Sequence, residues 1–201
     1  MTDARDNAPA PATTISRVVL GPMPTGRAMT TIDAAFVRAP IALIFDLARD
    51  VERWPAHLAH YRFVRFTARD GHGGGIVEMS ANRPFGVVNW PTFWRSEMET
   101  IAMNEPHGPA IRFRHIGGIT TGMDVVWEFA SRGIGTDVRI VHVWNGPPLP
   151  LAGSFAARTV IGPVFVHGIA SRTLAGLARV AERTAVHAAG ASAVNIKEQS
   201  R

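Results

Sequence analysis

Two histidines, His115 and His142, each extend an alternating apolar series. His115 follows Ile111 and Phe113, while His142 follows Val138 and Ile140 and precedes Trp144. In a strand, successive side chains point to opposite faces, so each imidazole shares a face with the apolar residues two positions away. Histidine has an ordinary pKa of about 6.5 and exchanges a proton near neutrality more readily than other side chains. Ser96 lies in a third series with Thr92, Trp94, Met98 and Thr100, opposite Arg95, Glu97 and Glu99. The chemistry open to this set is proton transfer and hydrogen bonding within an apolar surrounding. A further pair, His57 and His60, has a spacing that could hold a metal on a helix, but no third ligand accompanies it, and no metal is expected. The chain carries no G-x-S-x-G, no H-E-x-x-H and no helix-opening G-x-G-x-x-G pattern. The run Asp70-Gly71-His72-Gly73-Gly74-Gly75 reads as a hairpin tip, because no lysine follows it and no helix starts after it. No cofactor is expected.

Strands must do most of the positioning. Alternation predicts seven of them: 29–39, 61–68, 76–81, 91–103, 111–116, 122–130 and 136–144, with an irregular connection over 82–89. Met123, Val125, Trp127 and Phe129 share one face opposite Asp124 and Glu128, which marks that face as inner. Combined, the inner faces present Trp94, Phe113, Met123, Trp127 and Trp144 around Ser96, His115 and His142, the composition of a small-molecule pocket. Met98 extends this lining from the sheet. Gly146-Pro147-Pro148 ends the sheet, since proline cannot donate to a ladder. Beyond it, Phe165, Ile169, Thr173, Leu174, Leu177 and Ala181 recur at helical spacing and predict a long helix over about 164–186, whose Phe165 and Ile169 would close the pocket. Gly162-Pro163 is expected to separate a short first piece from it. Residues 1–28 read as a disordered leader, 29–188 as one domain and 189–201 as a flexible tail.

Composition narrows the class. A chain of 201 residues that is 46% hydrophobic and 18% charged suits one folded domain with a full core. With no cysteine, there are no disulfides, thiolate metal sites or cysteine nucleophile. No run reaches the roughly 18 apolar residues of a membrane span, and the first residues have no apolar signal-peptide core, so a cytoplasmic location is expected. The net charge of +5 is carried almost wholly by arginine. Arg62, Arg65, Arg112, Arg114 and Arg139 alternate with apolar residues, which reads as a solvated sheet face or as a docking surface for an acidic partner. No basic cluster points to nucleic acid.

The segment Ala39 to Tyr61, APIALIFDLARDVERWPAHLAHY, carries the most specific signal. Pro40 suits a helix start, where its missing N–H costs nothing. Ile41, Ile44, Phe45 and Ala48 follow at helical spacing, a second short helix stops around Trp54-Pro55, and alternation begins at Tyr61. This order resembles the START, pollen-allergen and polyketide-cyclase superfamily. The resemblance covers roughly residues 30–186. It implies an α+β helix-grip fold, in which a curved seven-stranded antiparallel sheet wraps around a long C-terminal helix and encloses a cavity. Trp54, Pro55 and Tyr61 match the aromatase/cyclase branch. Thr92-x-Trp94-x-Ser96-x-Met98 keeps one tryptophan and the serine of that branch's Trp-x-Trp-x-Ser-x-Arg strand, with Met98 where the arginine stands.

The resemblance implies a hydrophobic or aromatic small-molecule ligand and two readings of its fate. In the first, the protein cyclises or dehydrates a poly-β-keto precursor, with His115 or His142 moving protons and Ser96 and Tyr61 donating hydrogen bonds to a developing enolate. Trp54 joins the expected ligand-binding residues, and an acidic acyl carrier protein is an expected partner. In the second, the protein carries a lipid, isoprenoid quinone or sterol-like compound without chemistry.

Overall fold

Pro40 sits at φ −57° immediately before helix α1, Ile41–Arg49, whose buried residues are Ile44, Phe45 and Ala48. The computed structural model describes residues 11–85, 88–147 and 166–199. A 3-10 turn at Val51–Arg53 and a four-residue helix α2, Trp54–His57, follow α1. The indole Nε1 of buried Trp54 donates to the Leu47 carbonyl at 3.2 Å, tying α2 back onto α1. The strands are β1 Thr13–Thr14, β2 Met29–Val37, β3 Tyr61–Arg69, β4 Gly75–Phe85, β5 Val88–Ile101, β6 Ala110–Gly118, β7 Asp124–Arg132 and β8 Gly135–Trp144. A final helix, α3, spans His167–Gln199.

The sheet order is β1-β3-β4-β5-β6-β7-β8-β2. Strands β3 to β8 form a meander of antiparallel neighbours, and β2 closes against β8. The α1–α2 excursion therefore carries the chain across the sheet, from the β2 edge to β3. Leu174, Leu177 and Ala181 of α3 are buried in the core that the sheet enfolds, together with Trp144, Ile140 and Met98. This is the expected helix-grip architecture with two corrections. The sheet has eight strands, because β1 adds a parallel pair onto β3. The expected irregular connection at 82–89 is largely regular, since β4 and β5 pair as far as Phe85↔Val88.

The expected disordered leader is also corrected for residues 11–28. They lie against the outer face of the sheet, held by side chains their own composition does not reveal. Asp70 accepts from the Val18 N–H at 3.0 Å, and Glu99 from the Leu20 N–H at 3.1 Å. Arg114 donates to the Leu20 carbonyl at 3.1 Å, and Arg112 donates to that of Gly21. The expected flexible tail is helical as far as Gln199. Ala188, Ala189, Ala191 and Ala193 have high intrinsic helix propensity, enough to propagate a helix already nucleated by packing. The expected break at Gly162-Pro163 lies outside the described residues.

Three arginines of the outer face are paired across the ladders. Arg65–Glu78, Arg139–Glu128 and Arg114–Asp124 meet at 2.8, 2.7 and 2.9 Å, each directly across a ladder. Cross-strand pairing of this kind stabilises register and neutralises the face. Glu99 and Arg112 form a buried pair at 3.6 Å beneath the 11–28 segment.

Candidate functional site

A cavity opens between the inner face of the sheet and α3. Its aromatic wall comes from Trp54, Tyr61, Trp94, Phe113 and Trp127. Trp54 meets Tyr61 edge-on at 5.3 Å between ring centroids and lies 5.7 Å from Trp127, while Trp94 is 6.2 Å from Tyr61. Met79, Met123, Val125 and Ile140 complete the sheet side, and Val166, Ile169 and Ala170 the helix side. Among the described residues, the polar lining consists of Tyr61, His115, Thr120, His142 and Thr173. The space open to the centre of a water molecule is about 80 Å³. A drug-sized ligand takes about 300 Å³ or more, so such an occupant must push lining side chains or α3 outward.

His142 is 8% exposed on β8, with Nδ1 3.4 Å from the Thr31 hydroxyl on β2. Burial pushes its pKa down to about 3. This corrects the expectation that His142 titrates near neutrality: an imidazolium here would lose its hydration with no carboxylate in reach to replace it. His142 is a neutral imidazole at physiological pH, able to donate from one nitrogen and accept at the other. His115 lies on β6, half-buried, with Nδ1 2.6 Å from the hydroxyl of Thr120 and its ring stacked on Trp94 at 6.2 Å. Thr120 belongs to the β6–β7 turn, which Trp144 anchors by donating from Nε1 to the Thr121 carbonyl at 2.9 Å.

The Tyr61 hydroxyl lies 3.3 Å from Thr173 Oγ1 on α3. Thr173 Oγ1 is also 2.8 Å from the Ile169 carbonyl and 3.1 Å from His60 Nε2. The hydroxyl of Tyr61 is thereby aligned between sheet and helix, and His60 stands behind Thr173 on the side away from the cavity. Of the His57–His60 pair raised by spacing, His60 is engaged with Thr173, and among the described residues no cluster of three potential ligands is found.

Of the residues singled out from sequence, Trp54, Tyr61, Trp94, Phe113, His115, Met123, Trp127, His142 and Ile169 come together on the cavity. Three do not reach it. Met98 and Trp144 are 0% and 1% exposed and are packed in the core. Ser96 is wholly buried, and its hydroxyl has no hydrogen-bond partner among the described residues. The β4–β5 register is unbroken through Trp94 and Ser96, so the two share a face, and the serine is sealed off by core packing rather than turned away. Phe165 lies outside the described residues. Sequence reasoning missed Thr120 and Thr173 as cavity groups. Thr173 had a signal, being the one hydroxyl in the apolar stripe of α3; Thr120, in a turn, had none.

The sequence model for polyketide cyclase/dehydrase and lipid transport proteins matches residues 37–165. No curated protein matches the chain by sequence. Among solved structures, the Zhui aromatase/cyclase from Streptomyces sp. R1128 superposes with a TM-score of 0.61 at 16% identity, over 77% of this chain and 94% of its own. A protein from Thermus thermophilus gives a TM-score of 0.59 at 18% identity, over 75% and 95%. A START superfamily protein from Mycobacterium smegmatis gives 0.54 at 16% identity, over 79% and 97%. At these identities the likeness is one of fold. No described helix is long and apolar enough to cross a membrane.

Proposed function

The chain belongs to the polyketide cyclase/dehydrase and lipid transport family, and from that premise we propose that its cavity binds an aromatic or poly-β-keto small molecule and promotes its cyclisation or dehydration. The observation that carries this reading is the convergence of Tyr61, His115 and His142 on one cavity otherwise walled by tryptophan, phenylalanine and methionine. In such a reaction a base removes a proton from a methylene between two carbonyls. The resulting enolate carbon bonds to a second carbonyl carbon, whose oxygen takes up a proton. Loss of that hydroxyl with a neighbouring proton then releases water.

Each role has a candidate here. His115, half-buried and held by Thr120, is the imidazole to take up and return a proton. The Tyr61 hydroxyl, fixed near Thr173, and the neutral imidazole of His142 donate hydrogen bonds to enolate or alkoxide oxygen. The aromatic walls fold a flexible chain into one bent conformation, which by itself supplies much of the rate. Ser96, which its spacing aims at the same oxygen, is too far inside the core to serve without rearrangement. Delivery of the substrate by an acidic acyl carrier protein belongs to this reading.

A second reading, a carrier for a lipid, quinone or sterol-like molecule, is favoured by one observation. Among the described residues no lysine or arginine lines the cavity, Met98 standing where the resemblance places an arginine, and His142 is neutral. Native mass spectrometry of the protein as purified tests the pair. A co-purifying poly-β-keto or aromatic compound supports the first reading and a lipid or prenyl mass the second. Turnover of an added poly-β-keto thioester to a ring-closed product decides between making and holding.

A further inference from the structure

Outside the cavity, α3 and the end of α2 flank a separate groove of about 660 Å³. Arg172 and Arg179 line it from the helix, and His57 and His60 from the opposite side, over a floor that includes Leu58 and Ala175. Arg172 and Arg179 are seven residues apart, two helical turns, so both project from one face about 10 Å apart along the axis. Among the described residues no carboxylate lines the groove and neither arginine has an ion-pair partner, in contrast to Arg65, Arg114 and Arg139 of the sheet.

The groove is held together by specific contacts. The 3.1 Å contact between His60 and Thr173 ties the loop to α3. Gly176 lets the two approach: a Cβ there would lie 2.2 Å from Leu58 Cδ2. Burial, and then the nearby charge of Arg172, hold His60 below the usual imidazole range.

We propose that this groove binds a phosphate group, gripped between the Arg172 and Arg179 guanidiniums with His57 and His60 as further hydrogen-bonding partners. Planar guanidinium forks match the oxygens of a tetrahedral oxyanion, and two permanent positive charges balance a phosphate monoester dianion. The groove is open to solvent, so the phosphate can be carried on a larger molecule, either a soluble phosphate ester or a lipid headgroup. The site stands apart from the cavity, and its test does not depend on what the cavity holds.

Isothermal titration of the full chain with inorganic phosphate at pH 7 and low salt tests it. Saturable one-to-one binding is expected, weakened tenfold or more in Arg172→Gln and in Arg179→Gln. It should be unchanged in Arg183→Gln, an exposed arginine of the same helix outside the groove. Both groove arginines are exposed, so the variants should keep the parent's circular dichroism and melting temperature. Absence of saturable heat, or equal weakening by Arg183→Gln, overturns the proposal, the latter because it marks diffuse charge attraction. Glycerol 3-phosphate binding more tightly than phosphate identifies a soluble ester. Sedimentation with phosphatidic acid vesicles, but not with phosphatidylcholine alone, identifies a headgroup. Failure of both overturns the site as a carrier of phosphorylated ligands.

Discussion

Thr31 and His142 stand directly opposite each other in the β2–β8 ladder, with the threonine hydroxyl 3.4 Å from the imidazole Nδ1. The strand that leaves the chain's N-terminal part thus supplies, among the described residues, the hydrogen-bonding group facing that nitrogen of the most buried cavity histidine. A long contact with a neutral hydroxyl does little to stabilise a positive charge, which is why burial dominates the titration of His142.

That relationship has a consequence for stability. The unfolded chain takes up a proton on this histidine below about pH 6.5, whereas the native state does so only at about 3. A lowered folded-state pKa means that stability is complete above about pH 6.5 and declines as pH falls toward 3, by about 1.4 kcal/mol per unit at most. Between pH 7 and pH 4.5, the parent should lose about 2–3 kcal/mol more than His142→Gln, read by urea denaturation at both values. Equal losses would mean that His142 is solvated in the native state.

The cavity wall predicts an optical response. Trp54, Trp94 and Trp127 all line it, so titration with flat aromatic or prenylated compounds should alter tryptophan emission. Trp127→Phe should remove much of the change while keeping the fold. Because the free space is about 80 Å³, binding should be accompanied by slower or biphasic association as side chains move aside. An unchanged spectrum across such a series would leave the cavity a packing void.

If ring closure of a poly-β-keto substrate is observed, His115→Gln should lower its rate about 10²-fold or more while changing affinity much less. Tyr61→Phe should lower the rate too, by removing one donor to the developing oxyanion, by about 10²-fold if that contact is made. Full rates in both variants would leave conformational templating as the whole of the catalysis.

Two packing substitutions test the frame. Leu174 is 3% exposed in the core, and Leu174→Ala should cost about 2–5 kcal/mol through the cavity it creates. Gly118 has φ +89°, and a Cβ there would lie 2.4 Å from the Phe93 carbonyl oxygen. Gly118→Ala should therefore destabilise by more than the roughly 1 kcal/mol of an ordinary glycine substitution. It should also disturb Trp94, which pairs with Gly118 across the β5–β6 ladder. Thermal denaturation checks both, and a neutral Leu174→Ala would place that residue off the core.

The buried Glu99–Arg112 pair holds the 11–28 segment, since Glu99 accepts from Leu20 and Arg112 donates to Gly21. Arg112→Ala leaves a buried carboxylate without its cation and should cost about 3–5 kcal/mol. It should also expose the 11–28 segment to limited proteolysis; unchanged cleavage would show that other contacts hold the segment.

What the sequence determined by itself is local in physical origin. Period-two alternation placed Phe113 with His115 and Ile140 with His142 on inward faces, because side-chain direction in a strand follows from backbone geometry alone. The order of Pro40, Trp54-Pro55 and Tyr61 pointed to the helix-grip arrangement, because helix starts and stops are set within a few residues. Depth was decided only by the tertiary structure. Ser96 and Trp94 are two residues apart, yet one is sealed in the core and the other lines the cavity, according to what α3 and the neighbouring strands stack above each. His142 and His115 look alike along the chain, but full burial drives one neutral while the other is only half-buried. The contacts of Thr173 with Tyr61 and His60 join residues more than a hundred positions apart. The anchoring of residues 11–28 similarly depends on Asp70, Glu99 and Arg112, carried by distant strands. Contacts of this kind exist only once the sheet has curved around the helix, and no local pattern encodes them.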